Sequence, residues 1–317
     1  MTACPGCSGK AAATLAARGI PRDRGGFRVV RCADCGLGWT DPPVPAAEIG
    51  DWYPQNYYGQ GNVRFHPLLE RMIRLFQRRR AGVICRRAAP GPALDVGCGR
   101  GFLLKTLREL GFAPHGVELS EHAAWHAGHK LRIPVHVGGL ETAPYAPGSF
   151  TAVVFWHTLE HFAKPFDMLA RAHALLCPGG LLVVAVPNSE SLQAALTGSS
   201  WFHLDVPRHY WHFGAGSLRE ALARAGFAVV QEDHFSFEQN PYGWLQSLLN
   251  ALTPRFNFLY DLLKAKSARL APLRRNPGQA LMTLILLPLL VPLALALTVL
   301  EAALRRGGTV ELYAVKR

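Results

Sequence analysis

The chain has 317 residues, of which 49% are hydrophobic and 18% charged. That balance excludes a disordered or fibrous chain and suffices for one large domain with appendages. Lys and Arg outnumber Asp and Glu by 34 to 22, a net charge of +12, which suits nucleic acid, a phosphorylated substrate or an anionic membrane without choosing among them.

The opening residues, MTACPGCSGK, hold no apolar run of the kind a secretory signal needs. Seven cysteines, four of them in two close pairs, fit a reducing cytoplasm better than a disulfide framework. Cys4 and Cys7 form one pair, Cys32 and Cys35 the other. Two residues between cysteines let a tight turn aim both sulfurs at one ion. Two such turns supply the four tetrahedral thiolates of a structural zinc, with no coordination position left open. Buried free thiols or a redox pair account less well for two spaced pairs. Cys85, Cys98 and Cys177 stand alone and read as core or near-core cysteines. Residues 39–61, rich in proline and aromatics, read as an irregular linker that also covers a substrate site. Next, Leu68, Leu69, Met72, Ile73, Leu75 and Phe76 recur at helical spacing in an Arg-rich helix leading into the main domain.

Residues 93–101 read ALDVGCGRG. An apolar strand ends at Asp95, Gly97, Gly99 and Gly101 follow, and a helical pattern begins. Glycines let the backbone approach a ligand, and the helix start offers free N–H groups. Such a loop alone fits several nucleotide folds. The next strand, PHGVELS, ends on Glu118, where a carboxylate can accept both hydrogen bonds of a ribose diol. Four further strands follow: IPVHVGG, FTAVVFW, PGGLLVVAVPN and the one within GFAVVQEDHF. Helical patterns between strands imply a parallel sheet covered on both faces.

Taken in order, DVGCGRG, GVELS, FWHTLEH, LLCPGGLLVVAVPN and TVELYAVKR resemble class I S-adenosylmethionine-dependent methyltransferases. The N-terminal CPxC…CxxCGL…DP pattern resembles the branch that carries a zinc ribbon and includes sugar C-methyltransferases. The resemblance implies an α/β, Rossmann-like seven-stranded sheet whose seventh strand is antiparallel. It implies S-adenosylmethionine as cofactor, bound through Asp95, Gly97, Gly99, Gly101, Glu118 and Trp156. Two positions depart from the pattern. Glu141, or the backbone of Gly139 and Leu140, stands in for an adenine-binding acid, and Thr151 replaces a usual Asp.

Methyl transfer from a sulfonium asks the enzyme mainly to align the acceptor. A hydroxyl or carbon acid must also lose a proton, which calls for a base with pKa near 7. The candidates are His157 and His161, flanking Glu160, and His209 and His212 in WFHLDVPRHYWHF, which also holds His203. That second segment is expected to close over the acceptor, at the carboxyl ends of the strands. Packing is the alternative for each histidine. A divalent metal on His157, Glu160 and His161 is the weaker reading, since similar quinol O-methyltransferases carry two glutamates and a histidine there.

Residues 276–300 are uncharged, long enough for one membrane span but not two. If TVELYAVKR is the seventh strand, this stretch lies between strands six and seven of one sheet, and a single crossing is excluded. Arg274, Arg275, Arg305 and Arg306 flank it, placing both ends on the cytoplasmic side. Pro288 and Pro292 predict a break midway, hence a re-entrant hairpin or an in-plane insertion. The aromatic segment upstream suits an interfacial helix. Burial among helices or a dimer interface is the soluble alternative.

The expected organisation is a zinc ribbon over 1–45, a linker and helix over 46–90, a methyltransferase domain over 91–236 and 308–317, and a hydrophobic helical insertion over 237–307. The expected activity is methyl transfer to a small-molecule, sugar or lipid-linked acceptor by a peripheral or monotopic protein at the cytoplasmic face of a membrane. Two alternatives stay open. One is a zinc-ribbon RNA methyltransferase, against which His157-Thr158-Leu159 stands where base-amino methylases carry an Asn/Asp-Pro-Pro-aromatic turn. The other is an inactive membrane adaptor. The acceptor atom and oligomeric state are not specified by these residues.

Overall fold

The computed structural model describes residues 3–16, 26–45, 48–52, 67–263 and 272–317. Residues 46–47 and 53–61 of the proline-rich linker lie outside these residues. The chain divides into two compact units. One comprises Met1–Tyr57, Pro187–Leu218 and Asp233–Val310; the other comprises Tyr58–Val186, Arg219–Glu232 and Glu311–Arg317. The helix expected to belong to a linker therefore falls in the second unit, and the ribbon and the apolar insertion share the first.

The first unit opens with β1 (Ala11–Ala16), β2 (Arg28–Cys32) and β3 (Gly38–Asp41), each antiparallel to the next. The two cysteine turns precede β1 and follow β2. Val29, Val30 and Trp39 are buried, as in a small sheet covered by its surroundings.

The second unit begins with α1 (Pro67–Cys85), then β4 (Pro92–Val96), α2 (Phe102–Glu109), β5 (Ala113–Glu118), the short α3 (Glu121–Trp125), β6 (Val135–Val137), β7 (Phe150–Trp156), α4 (Pro165–Leu175) and β8 (Leu176–Pro187). In the first unit the chain then forms α5 (Leu192–Thr197) and the two-residue β9 (Trp211–His212), which pairs antiparallel with β3. After α6 (Ala215–Arg224) and β10 (Phe227–Asp233) come α7 (Asn240–Leu252), α8 (Phe258–Leu263), α9 (Pro277–Ala303) and β11 (Thr309–Lys316).

Seven strands make one sheet in the order β10-β11-β8-β7-β4-β5-β6. The pairs β8–β7, β7–β4, β4–β5 and β5–β6 are parallel. β11 enters between β8 and β10, as expected for a seventh strand. Thr151, the departure at the head of β7, donates its hydroxyl to the Pro92 carbonyl at 3.1 Å and so ties two strand starts together. Central strands read as continuous apolar runs because both faces are covered; Val153, Val154, Leu182, Val183 and Val184 are wholly buried.

The apolar insertion corrects one expectation. α9 runs unbroken from Pro277 to Ala303 with Pro288 and Pro292 inside it, about 40 Å of helix. Each proline removes one hydrogen bond, from the carbonyls of Leu284 and Pro288. Leu286, Leu287 and Leu290 pack against Leu249 and Leu259 of α7 and α8, and that side packing carries the helix through both positions. Thr283, Leu290, Ala294, Thr298 and Glu301 form a narrow buried stripe. Only 17% of its most apolar window is buried. Leu281, Leu284, Ile285, Leu289 and Val299 are each 59–67% exposed.

Candidate active site

In the second unit β4 delivers Asp95 to the edge of a cavity of about 160 Å³, lined among others by Gln77, Arg80, Gly97, Phe102 and Trp156. The turn after β4 needs glycine: Gly97, Gly99 and Gly101 have φ of 77°, 52° and 77°. A Cβ at Gly97 would collide with the Thr158 side chain, and one at Gly101 would meet the Ala127 Cβ at 2.7 Å. The Gly99 N–H donates to Glu118 Oε2 at 2.8 Å and the Ser120 N–H to Glu118 Oε1 at 2.9 Å. The two backbone donors fix the carboxylate at the strand end, where a ribose diol would reach it. Burial, with the Glu118 charge adding to it and Arg80 opposing it, pushes the Asp95 carboxyl up to about 7.

Arg80 joins the candidate residues, although the motifs of the sequence do not single it out. It comes from α1 and is buried, its guanidinium 4.2 Å from the centre of the Trp156 ring. Its Nη1 lies 3.4 Å from Gln77 Oε1. The signal was available. Gln77 and Arg80 lie on the face of α1 that buries Ala81 and Ile84, where a purely structural helix would place apolar residues. A buried cation, a buried carboxylate, a diol acceptor and a glycine cradle match the carboxylate, ammonium and ribose of S-adenosylmethionine. The Trp156 indole N–H is buried and has no hydrogen-bond partner among the described residues. The donor set fits the cofactor. For the adenine end, Glu141 is exposed and sits beside Gly139, whose added Cβ would collide with its carboxylate.

At the carboxyl end of β7 the chain turns sharply. His157 holds φ 52°, a left-handed conformation uncommon outside glycine and often found at functional sites. Its N–H donates to the Ala185 carbonyl at 2.8 Å. Its Nδ1 lies 3.5 Å from Oε1 of the buried Glu160. His161 is half-buried, and its N–H donates to the Thr158 carbonyl at 3.0 Å.

In the first unit, His203, His209 and His212 are all buried. His209 Nδ1 lies 3.0 Å from the His203 carbonyl, and its Nε2 lies 3.8 Å from Asp205, which also pairs with Arg208. His212 Nε2 meets the Thr40 hydroxyl at 3.1 Å, and burial pushes this imidazole down to about 3. A group that stays neutral through the physiological range and is bonded to Thr40 serves packing better than proton transfer.

The sulfurs of Cys4, Cys7, Cys32 and Cys35 lie within 4.8 Å of one another. Cys4 Sγ is 3.7 Å from Cys35 Sγ, and Cys7 Sγ is 3.6 Å from Cys32 Sγ. A tetrahedron with metal–sulfur bonds of about 2.3 Å has edges of about 3.8 Å, so these four thiols fit zinc. Backbone N–H groups of Gly6, Gly9 and Asp34 point at Cys4, Cys7 and Cys32.

A sheet with this strand order, a glycine turn at its first strand and an acid at the end of the second defines an α/β enzyme that binds a nucleoside cofactor at the strand ends. Residues 65–232 match a family model described as a methyltransferase domain. The ubiquinone biosynthesis O-methyltransferase of Methylocella silvestris is 30% identical over 234 residues, covering 68% of this chain and 87% of that protein. That of Cereibacter sphaeroides is 29% identical over 168 residues, covering 49% of this chain. This chain spans only 66% of that relative's length. Among solved structures, a chain of the complex between the Haloferax volcanii Trm112 methyltransferase activator and a methyltransferase superposes with a TM-score of 0.50 at 17% identity, covering 78% of this chain and 94% of that one. The chain belongs to the methyltransferase-domain family and has the fold of class I S-adenosylmethionine-dependent methyltransferases.

Proposed function

We propose that the protein methylates a small lipophilic or lipid-linked acceptor at the cytoplasmic surface of a membrane, with a hydroxyl as the favoured acceptor group. One observation supports the membrane part of this reading above others. α9 exposes apolar side chains around most of its circumference, while a complete cofactor loop is present in the same chain. The relatives named as ubiquinone biosynthesis O-methyltransferases support a small acceptor and an oxygen.

The geometry of α9 favours lying in the membrane over crossing it. The helix stays against its own unit along its length: Gln279 accepts from the Arg255 N–H near one end, and Glu301 accepts from Gln193 near the other. Pro288 and Pro292 both face outward, on the side where two carbonyls have lost their helical donor. Such carbonyls are cheaper near headgroups and water than at the bilayer centre. Arg274, Arg275, Arg305 and Arg306 sit beyond the apolar stretch and suit anionic headgroups.

S-adenosylmethionine supplies a methyl group already activated for displacement. Arg80 takes its carboxylate, Asp95 its ammonium and Glu118 its ribose. Trp156 and His157 would face the acceptor, and Glu160 beside the His157 ring would orient it to take a proton from the acceptor hydroxyl. The four cysteines hold a structural zinc. Mass spectrometry of lipid extracts from cells with and without the gene tests the proposal. A 14-dalton change in one lipophilic species is expected, and loss of that change in His157→Ala. No change in any lipid, with the label instead in RNA, would replace this reading by the nucleic-acid one. No binding of S-adenosylmethionine would leave the adaptor.

A further inference from the structure

The segment that carries His203, His209 and His212 has little structure of its own. Between α5 and α6 it contains single turns and the two residues of β9, far too few to be stable alone. Its first residues are tied to α7, where the Phe202 N–H donates to Ser247 Oγ at 2.9 Å, and Ser189 donates to the His212 and Phe213 carbonyls; the stretch from His209 to His212 is also tied to the ribbon. β3 pairs with β9 through Gly38 with His212 and Trp39 with Trp211. The Thr40 N–H donates to the Tyr210 carbonyl at 2.9 Å, and the Thr40 hydroxyl donates to the His209 carbonyl at 2.6 Å. Tyr210 returns its hydroxyl to the Val44 carbonyl at 2.9 Å. Gly38 lies so close that an added Cβ would meet the His212 Cβ at 2.9 Å. Val29 of β2 packs with Trp201 and Leu204.

These ties originate beside the second cysteine turn. Arg31, next to Cys32, donates through Nε to the Gly36 carbonyl at 3.0 Å and through Nη2 to Glu190 at 3.1 Å. The turn itself closes with the Gly36 N–H on the Cys32 carbonyl and the Cys32 N–H on the Leu37 carbonyl. A three-stranded ribbon this small buries too little apolar surface to order itself without a staple. The cofactor residues Arg80, Asp95, the glycine turn and Glu118 all belong to the other unit.

We infer that the zinc ribbon is a clamp for the histidine segment: metal on the four cysteines orders β2 and β3, and β3, through Thr40, and Arg31, through Glu190, hold residues 201–213 in register. Arg31 and Thr40 are positioning residues in this scheme. The clamp predicts a separable defect, in which loss of metal frees the histidine segment and spares cofactor binding. Its bearing on methyl transfer rests on the proposed function, but the clamp is tested without any acceptor.

The experiment is hydrogen exchange on the full zinc-loaded chain, before and after chelation, with S-adenosylmethionine binding measured in parallel. Chelation, or Cys32→Ser, should speed exchange of amides in 201–213 at least tenfold and leave the cofactor Kd within twofold. Arg31→Met with Thr40→Val should do the same while one zinc per chain is retained. Restoring a hydroxyl with Thr40→Ser should restore most of the protection. Unchanged exchange in 201–213 after metal loss overturns the clamp, and so does loss of cofactor binding in step with it, which would make the metal a requirement of the whole fold. If Cys32→Ser does not fold, the zinc-retaining double variant decides, and normal exchange there overturns the proposal.

Discussion

Arg80 and Asp95 line one cavity, and in the proposed function they hold the two charged groups at the methionine end of the cofactor; they respond to different perturbations. Removing the guanidinium in Arg80→Met deletes a charge-assisted contact worth about 1.5–3 kcal/mol, so S-adenosylmethionine should bind roughly 10–100-fold more weakly by calorimetry. Asp95 makes the pocket sensitive to pH. Its carboxyl is raised to about 7, so it gains a proton as pH falls through that value and no longer pairs with the ligand's ammonium. Affinity should drop roughly tenfold between pH 8 and pH 6, and Asp95→Asn should abolish that dependence. The sign for stability is opposite. Between about pH 4 and 7 the folded carboxyl holds a proton that the unfolded one has released, so this group stabilises the unliganded fold at low pH and loses that contribution as pH rises. His157→Gln should lower the transfer rate by about 10²–10⁴ with cofactor affinity unchanged. The glycine turn and Glu118 were legible in the sequence because a local backbone need wrote them there. Arg80 left only a faint trace, a polar residue on the apolar face of α1, and its place beside Trp156 depends on the packing of α1 against the sheet.

α9 shows where local rules reach their limit. Two prolines four residues apart predict a break, and contacts from α7 and α8, distant in sequence, overrule it. What was legible was its polarity: an apolar surface with basic flanks. Exposed positions tolerate change in the fold, so they isolate the membrane contribution. Ile285→Glu with Leu289→Glu should weaken flotation with anionic vesicles at least tenfold, since a charge in the apolar layer costs on the order of 2–3 kcal/mol. Cofactor affinity should not move. If instead the wild-type chain stays out of the vesicles and forms a dimer that these substitutions dissolve, α9 is a subunit interface. Within the ribbon, the cysteine spacing announced the four-thiol cluster. The partner strand β9 was hidden, because a two-residue strand far along the chain leaves no periodic pattern to detect.

The whole molecule interleaves two units in one chain, each assembled from three separate stretches. The seven-stranded sheet was legible as alternating apolar runs and helical patterns. The division of labour was not, because it depends on which distant stretches pack together. Removing zinc should lower the melting temperature of the ribbon unit and leave the cofactor-stabilised transition in place, a difference that calorimetry with and without chelator will resolve. The placement of β11 also sets a timetable. It is an interior strand of the cofactor sheet, yet it follows the apolar helix in sequence. A ribosome must therefore release all of α9 before the sheet that binds the methyl donor can close. During synthesis the most apolar segment of the protein is therefore complete while the cofactor sheet still lacks its last strand, so the two halves of the molecule become competent in a fixed order.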